Sequence, residues 1–196
     1  MNNSVTAASQ VRIIAGRWRA RKISFATHLS IRPTPDRVRE TVFNWLAPYV
    51  INSRCLDLFA GSGVLGFEAL SRGASEMVFV DSEKTIITQL RAQHQILNID
   101  AESTISRVEY LHTDANAYLS TQQNAYDVIF LDPPYQKNKI PVIIEQLIKN
   151  ALLNNNGIIY IEMAKDEIFP ELPNDWKLIK HKIMSQVACY LIQVSK

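Results

Sequence analysis

A short segment in the second half of the chain combines one carboxylate, two prolines and one aromatic ring. The run IFLDPPYQK leads from β-favouring residues into Asp132, Pro133, Pro134 and Tyr135. Because proline donates no ladder hydrogen bond and keeps the preceding residue extended, we expect a strand to end here in a rigid exit. The Asp132 carboxylate and the Pro133 carbonyl could accept both N–H groups of an exocyclic base amine, while Tyr135 stacks on the base. The alternative is a plain turn with a capping Asp132 and a surface Tyr135.

A glycine-rich loop lies between a predicted strand and a predicted helix. In LDLFAGSGVLGFE, Gly61, Gly63 and Gly66 match the G-x-G-x-x-G pattern, which lets backbone approach a ligand at a helix N-terminus. Asp81 ends the next predicted strand about 20 residues later, where a carboxylate can accept both ribose hydroxyls. This pattern predicts a nucleoside-bearing ligand, either a nicotinamide dinucleotide or S-adenosylmethionine.

Asp57 favours S-adenosylmethionine. It lies just before the loop, where a carboxylate suits the cationic amino acid end of that cofactor and would repel a pyrophosphate. Asp114 follows the third predicted strand and could meet the adenine amino group, or it could simply cap a helix. The predicted cofactor residues are Asp57, Ala60, Gly61, Gly63, Asp81, Ser82, Asp114 and Ala115. No cysteine lies beside Asp132, so we expect direct in-line transfer without a covalent enzyme intermediate.

Strand-like and helix-like runs alternate from Arg54 onward and predict a mostly parallel α/β sheet. The predicted strands are CLDLF, EMVFVD, RVEYLH, YDVIFLD and GIIYIEM. After Pro173, WKLIKHKIM and QVACYLIQV predict an antiparallel hairpin that turns near Ser185. The result is a seven-stranded sheet with a reversed last strand. The strand that ends at Asp132 should lie next to the strand that contains Asp57, which places Asp132 beside the cofactor.

The region upstream of this sheet predicts a small extension. VRIIAGRWRARKISF favours a hairpin that turns at Gly16, and TPDRVRETVFNWLAPY favours a helix that closes at Pro48. We therefore expect a flexible terminus at residues 1–10, a basic extension at 11–50 and a catalytic domain at 51–196.

Composition limits the remaining function classes. The chain has 196 residues, of which 47% are hydrophobic and 20% charged, as expected for one α/β domain. The net charge is +2, but residues 1–40 carry eight basic and two acidic side chains, which suggests a surface for a polyanion such as nucleic acid. The alternative is a solvated basic tail. Cys55 and Cys189 lie far apart in apolar runs, so we expect buried thiols and no metal site. No signal peptide or membrane span is evident, which predicts a cytoplasmic protein.

With these segments, the sequence resembles the bacterial 16S rRNA guanine-N2 methyltransferases. The resemblance covers nearly the whole chain and is carried by RIIAGRWRARKI, RPTPDRVRETVFNWL, CLDLFAGSGVLGFEALSRGA, LDPPY and QVACYLIQ. It implies a Rossmann-like class I S-adenosylmethionine-dependent methyltransferase fold and methylation of N2 of one guanine, guanine 966 of 16S rRNA. The implied product is S-adenosylhomocysteine, and the implied partner is 16S rRNA or the small ribosomal subunit. No obligate protein partner is implied, so we expect a monomer.

The same resemblance implies that the N-terminal extension contacts rRNA and closes over the cofactor. It assigns Thr34 to the cofactor site, and it assigns to the RNA substrate Arg17, Arg19, Arg32, Arg37 and Tyr135. Surface ion pairing is the alternative for these arginines and is the interpretation for Arg39. Two positions depart from the family, which often has Phe in place of Tyr135 and Gly in place of Ser185.

Two other functions stay open from the sequence. The same pocket could methylate another RNA or an adenine of DNA, although adenine-specific enzymes commonly place Asn where this chain has Asp132. A protein of another class, a non-catalytic RNA-binding factor for ribosome assembly, could also keep this fold.

Overall fold

The computed structural model describes residues 8–26, 34–98, 106–134 and 139–195, and Tyr135 and Arg32 lie outside these ranges. The strands are β1 (Ala8–Arg12), β2 (Lys22–Ala26), β3 (Arg54–Asp57), β4 (Glu76–Asp81), β5 (Arg107–His112), β6 (Tyr126–Leu131), β7 (Leu153–Ala164), β8 (Trp176–Met184) and β9 (Val187–Val194). The helices are α1 (Asp36–Val50), α2 (Val64–Ser71), α3 (Lys84–Asn98), α4 (Ala115–Thr121) and α5 (Lys139–Lys149).

Seven strands form one sheet in the order β5-β4-β3-β6-β7-β9-β8. All pairs from β5 to β7 are parallel, whereas β9 runs antiparallel to both β7 and β8. The predicted α/β class, strand number and reversed last strand are confirmed. The chain order reverses at β3, which lies between β4 and β6, so the crevice at the carboxyl end of β3 is the expected ligand site in this architecture.

The sheet is buried on both faces, which explains why its central strands are almost continuously apolar. On β6, Val128 and Phe130 belong to one core and Ile129 and Leu131 to the other, and all four are fully buried. The first core includes residues of α1, α2 and α3 together with the β1–β2 hairpin, and the second includes residues of α4 and α5. The two layers hold the carboxyl ends of the strands in a fixed relation.

The N-terminal hairpin attaches to the sheet domain through a buried carboxylate. Glu68 of α2 is fully buried, and its side chain accepts hydrogen bonds from the backbone N–H groups of Ile14 at 2.8 Å and Ala15 at 3.0 Å. Arg39 and Arg72 form ion pairs with the same carboxylate. Gly16, at φ +81°, lies so close to α2 that a Cβ there would stand 1.9 Å from the Ser71 carbonyl oxygen. The loop after β1 therefore requires glycine at this contact.

Three element boundaries differ from the sequence predictions. β1 begins at Ala8, inside the expected flexible terminus, and β7 begins at Leu153 and not at Gly157. Helix α1 continues through Pro48 to Val50, so the prediction that Pro48 closes it is wrong. Both Pro48 and Asn44 are exposed, so the Asn44 carbonyl, which loses its helical partner, can bond to water.

Candidate active site

Three of the predicted acids converge at one edge of the sheet. Asp57 ends β3, Asp81 ends the neighbouring β4, and Asp132 follows β6 on the other side of β3. Parallel strands carry their carboxyl ends to the same edge, so the three carboxylates surround the crevice of the β3 switch point. The predicted adjacency of the strand before Asp132 and the strand of Asp57 is therefore observed.

The glycine loop lies between Asp57 and the start of α2. The Gly61 N–H donates to the Asp81 carboxylate at 2.9 Å, and the Gly63 N–H donates to the Ala60 carbonyl at 2.7 Å. Gly63 caps α2 with φ +74°, and a Cβ there would stand 2.3 Å from a methyl group of Leu90. Only glycine satisfies both this backbone conformation and this close approach. The loop thus presents backbone at a helix N-terminus, as the sequence predicts.

Asp57 is almost fully buried below this loop. Its carboxylate accepts a hydrogen bond from the Gly66 N–H at 3.3 Å, and only 2% of the residue is exposed. The pKa of Asp57 is raised to about 7, mainly by burial and in part by the negative charge of Asp81, while backbone hydrogen bonds act in the opposite direction. A cation in the crevice would stabilise the ionised form, which is the chemical requirement for holding an ammonium or sulfonium group.

The adenine side of the predicted site lies at the start of α4. Asp114 caps this helix, and its carboxylate accepts the Asn116 N–H at 2.8 Å, so the capping role considered for Asp114 is present. Ala115 is buried, whereas Ser82 is exposed after β4. The Asp114 side chain remains exposed, which leaves its second oxygen open to a ligand amine.

Asp132 lies beside a second acid that the sequence predictions did not include. Leu131 of β6 pairs with Ile161 of the parallel strand β7. The residues that follow them, Asp132 and Glu162, are therefore also neighbours. Thr34 is 2% exposed and donates from Oγ1 to Glu162 Oε2 at 3.0 Å, beside the Asp132 carboxyl group. Burial raises the pKa of Asp132 well above its usual value, and the charges of Glu162 and Asp57 raise it further. The extension therefore reaches the acid at the end of β6 through Thr34.

The predicted RNA-binding arginines do not all lie near Asp132. Arg17 donates its backbone N–H to the Ser71 carbonyl at 2.8 Å and its guanidinium to Ser106 at 3.2 Å, both at the amino ends of the strands. Arg19 is exposed in the same loop. Arg37 is exposed in the first turn of α1, close in the chain to Thr34, and so lies on the Asp132 side.

Two buried groups near the site were missed or misread from the sequence. Glu162 lies in the apolar run GIIYIEM, where a charged residue inside a central strand was an available signal of a buried partner. Arg39 was interpreted as a surface ion-pair residue, but it is fully buried and pairs with Asp36 at 2.6 Å and Glu68 at 3.3 Å.

Residues 8–26, 34–98, 106–134 and 139–195 contain no group of three or more His, Cys, Asp or Glu side chains arranged to hold a metal ion. Within the same ranges, no helix combines the length and apolar character needed to cross a bilayer.

Known proteins resemble this chain over most of its length. The family model described as Conserved hypothetical protein 95 matches residues 11–193. The ribosomal RNA small subunit methyltransferase D of Haemophilus influenzae is 43% identical over 189 residues, which cover 95% of this chain and 95% of that protein. The protein of the same name from Escherichia coli is 37% identical over 186 residues, which cover 95% of this chain and 91% of that protein.

Solved structures show the same architecture. A structure from Escherichia coli, described provisionally as a methyltransferase, matches with a TM-score of 0.84 at 34% identity and covers 95% of this chain and 99% of its own. A Haemophilus influenzae structure, described provisionally as a methylase, matches with a TM-score of 0.79 at 40% identity and covers 96% of this chain and 100% of its own.

Proposed function

Because this chain belongs to the Conserved hypothetical protein 95 family, together with the ribosomal RNA small subunit methyltransferase D proteins, we propose that it is an S-adenosylmethionine-dependent rRNA methyltransferase. At a finer level, we propose that it methylates the exocyclic N2 of one guanine of 16S rRNA, guanine 966, on the small subunit or an assembly intermediate. The observation that carries this proposal is the position of Asp132 and Pro133 at the end of β6, directly beside the glycine loop that follows β3.

The glycine-loop side of the crevice fits the proposed cofactor. Asp57 lies near its cationic end, and binding of that cation favours the ionised carboxylate. Asp81 already accepts the Gly61 N–H and the Glu83 N–H, which orients its oxygens toward the position of a ribose. We propose that the cofactor site consists of Asp57, Ala60, Gly61, Gly63, Asp81, Ser82, Asp114 and Ala115, with Thr34 closing it.

The end of β6 fits an amine substrate. S-adenosylmethionine, when bound, supplies a methyl group on a positively charged sulfur. The Asp132 carboxylate and the Pro133 carbonyl accept the two N–H groups of the guanine amine, which turns the nitrogen lone pair toward that methyl group. Pro133 is buried and its fixed φ limits the directions available to its carbonyl, and we propose that Tyr135 stacks on the flipped base.

The basic extension fits an RNA substrate in two places. Arg37 lies on the side of Thr34, and we propose that it and Arg32 contact phosphates next to the target guanine. Arg17 and Arg19 lie at the opposite ends of the strands, so we propose that they contact a more distant part of the rRNA. Such contacts position the substrate without reading its sequence.

A labelled-cofactor experiment tests this proposal. Purified protein is incubated with labelled S-adenosylmethionine and with 16S rRNA or small subunits from cells that lack the protein, and the RNA is digested and its nucleosides are identified by mass. We expect N2-methylguanosine at one position, which sequencing of 16S rRNA from cells with and without the protein would map. Absence of label on both substrates would contradict the proposal and favour a non-catalytic assembly factor.

Adenine methylation is the second candidate. A tRNA adenine-N6 methyltransferase from Shigella boydii is 31% identical to this chain over 100 residues, which cover 51% of this chain. The nucleoside analysis separates the two candidates, because N6-methyladenosine in place of N2-methylguanosine would support this one.

A further inference from the structure

Glu162 is a buried acid with no part in the mechanism above. It lies in the central strand β7 and is only 2% exposed. An ionised carboxylate in such a position is unfavourable unless donors stabilise it, so its surroundings should show why it is tolerated.

Two hydroxyl groups stabilise a charge on Glu162. Thr34 donates to Oε2 at 3.0 Å, and the Tyr160 hydroxyl donates to the same oxygen at 2.8 Å. Tyr160 is fully buried, and Glu162 contributes to raising the pKa of its hydroxyl, so this hydroxyl remains a donor across the working pH range. Two donors on one oxygen favour the ionised form of Glu162 over the protonated form.

The charge on Glu162 acts on Asp132. Adjacent parallel strands place the two carboxyl groups side by side, and the Thr34 hydroxyl that donates to Glu162 lies next to both. Among the residues that the structure describes, the other ionisable groups that face Asp132 are Asp57 from β3, Tyr160 from β7 and Cys189 from β9, and none of these three is a cation. Two like charges this close cannot both ionise freely, so Glu162 makes Asp132 hold a proton more strongly.

We propose that Glu162 is a positioning residue whose charge, fixed by Thr34 and Tyr160, makes Asp132 an effective proton acceptor during methyl transfer. This inference rests on the proposed function. It assigns Glu162 an indirect role through Asp132, with no contact to the substrate or the cofactor.

The transfer step shows where this effect operates. The amine nitrogen forms a bond to the methyl carbon with its lone pair, while the carbon–sulfur bond breaks and its electron pair stays on sulfur as a neutral thioether. The nitrogen then carries a positive charge and an extra proton, which passes to the Asp132 carboxylate. Before this step, the positive charge of the sulfonium lies near Asp132 and holds the carboxylate ionised despite Glu162; as the methyl group moves, this charge passes to the amine nitrogen beside Asp132. After the sulfonium charge is lost, the Glu162 charge favours proton uptake by Asp132.

The competing interpretation is purely structural, in which Glu162 serves only to hold Thr34 and the extension. Both interpretations predict that Glu162→Gln lowers activity. They differ in the pH profile. Without the Glu162 charge, the pKa of Asp132 falls, so Asp132 becomes ionised at lower pH and the acid limb of the rate profile moves to lower pH.

Single-turnover methylation measured against pH tests the proposal, with wild-type protein, labelled cofactor and undermethylated 16S rRNA. For Glu162→Gln, we expect the acid limb to move down by about one pH unit and the plateau rate to fall. Tyr160→Phe removes one donor from Glu162 but keeps its carboxylate, so we expect a smaller shift in the same direction. The control is Asp127→Asn, because Asp127 lies at the amino end of β6 and bonds the Arg54 N–H and the Asn154 side chain. Its acid limb should match that of the wild type.

The outcomes are distinguishable. A wild-type protein that transfers no methyl group contradicts the proposed function, and this inference with it. An active wild-type protein and a folded Glu162→Gln variant with a lowered rate but an unmoved acid limb overturns the role of Glu162 alone. Folding is checked by the melting temperature and by cofactor binding in calorimetry. If Glu162→Gln does not fold, Tyr160→Phe decides, and an unmoved limb in that variant overturns the proposal.

Discussion

Replacing Arg39 with methionine should strongly destabilise the protein. The guanidinium is fully buried and donates to four acceptors, which are the Thr34 carbonyl at 3.1 Å, the Arg12 carbonyl at 2.8 Å, Asp36 at 2.6 Å and Glu68 at 3.3 Å. Methionine keeps the length and most of the packing of the stem but removes every donor. The variant therefore isolates the polar contribution of Arg39.

The size of the effect follows from what is left behind. Glu68 stays fully buried with Arg72 and two backbone N–H groups as its partners, and the two carbonyls lose a charged donor. Removing one partner of a buried ion pair lowers the free energy of unfolding by about 3–5 kcal/mol, because the other charge stays buried. An exposed ion pair contributes about 0–1 kcal/mol to the free energy of unfolding. Arg12→Met is the control for this case, because the side chains of Arg12 and Asp36 are 62% and 48% exposed and their ion pair spans 3.4 Å.

Urea unfolding followed by circular dichroism measures both variants. With a slope of about 2 kcal/mol per molar urea, the midpoint should fall by about 1.5–2.5 M for Arg39→Met and by less than about 0.5 M for Arg12→Met. The midpoint shift of Arg39→Lys should lie between these two values, because one ammonium group cannot reach all the acceptors that the planar guanidinium bonds. Equal midpoint shifts for Arg39→Met and Arg12→Met would refute the assignment of Arg39 as a buried anchor.

Three further outcomes follow from the site and the last hairpin. Asp132→Asn should lower the single-turnover methylation rate by about 100-fold or more because a proton acceptor is lost, while the cofactor affinity from calorimetry stays within about threefold; an unchanged rate would leave Asp132 as a mere turn residue. Cofactor affinity should rise as the pH increases through about 7, because Asp57 is protonated below this value in the free protein and a bound cation favours its ionised form; calorimetry in two buffers should detect proton release, and a flat profile would remove Asp57 from the cationic end. Ser185→Gly should raise the free energy of unfolding by about 0.5 kcal/mol, because Ser185 has φ +61° in the β8–β9 turn; an unchanged urea midpoint would contradict this.

Much of the fold could be predicted because its signals are local. The apolar runs, the glycine loop and the acid at the end of each strand lie in a fixed order along the chain, and parallel sheets bring strand ends together by topology alone. The reversed last strand also had a local signal, since the strand-like runs WKLIKHKIM and VACYLIQV are joined by only two residues, Ser185 and Gln186. Ser185 occupies that turn with a left-handed backbone, which glycine adopts without strain.

The parts that could not be predicted depend on contacts between distant segments. Pro48 has a strong local signal for a helix end, but the helix continues to Val50, at a position where both Pro48 and Asn44 are exposed to water. Arg39 and Glu68 are 29 residues apart, and because both are charged, the sequence alone predicts that both lie at the surface. Likewise, a charged residue in a strand, such as Glu162, is expected on an exposed face. Its partner Thr34 lies 128 residues earlier in the chain. Pairing between such positions has no short-range pattern.

These distant contacts join the extension to the proposed chemistry. Glu68 holds the hairpin and Arg39, Arg39 holds the Thr34 carbonyl, and the Thr34 hydroxyl donates to Glu162, the neighbour of Asp132. The order of these bonds implies that Arg39 orients Thr34 from its backbone side, while the hydroxyl holds Glu162 beside Asp132. A loss of Arg39 should therefore lower methyl transfer beyond the effect of instability, even at temperatures where the variant remains folded. Arg12→Met leaves Thr34 and its partners intact, so under the same conditions its transfer rate should equal that of the wild type.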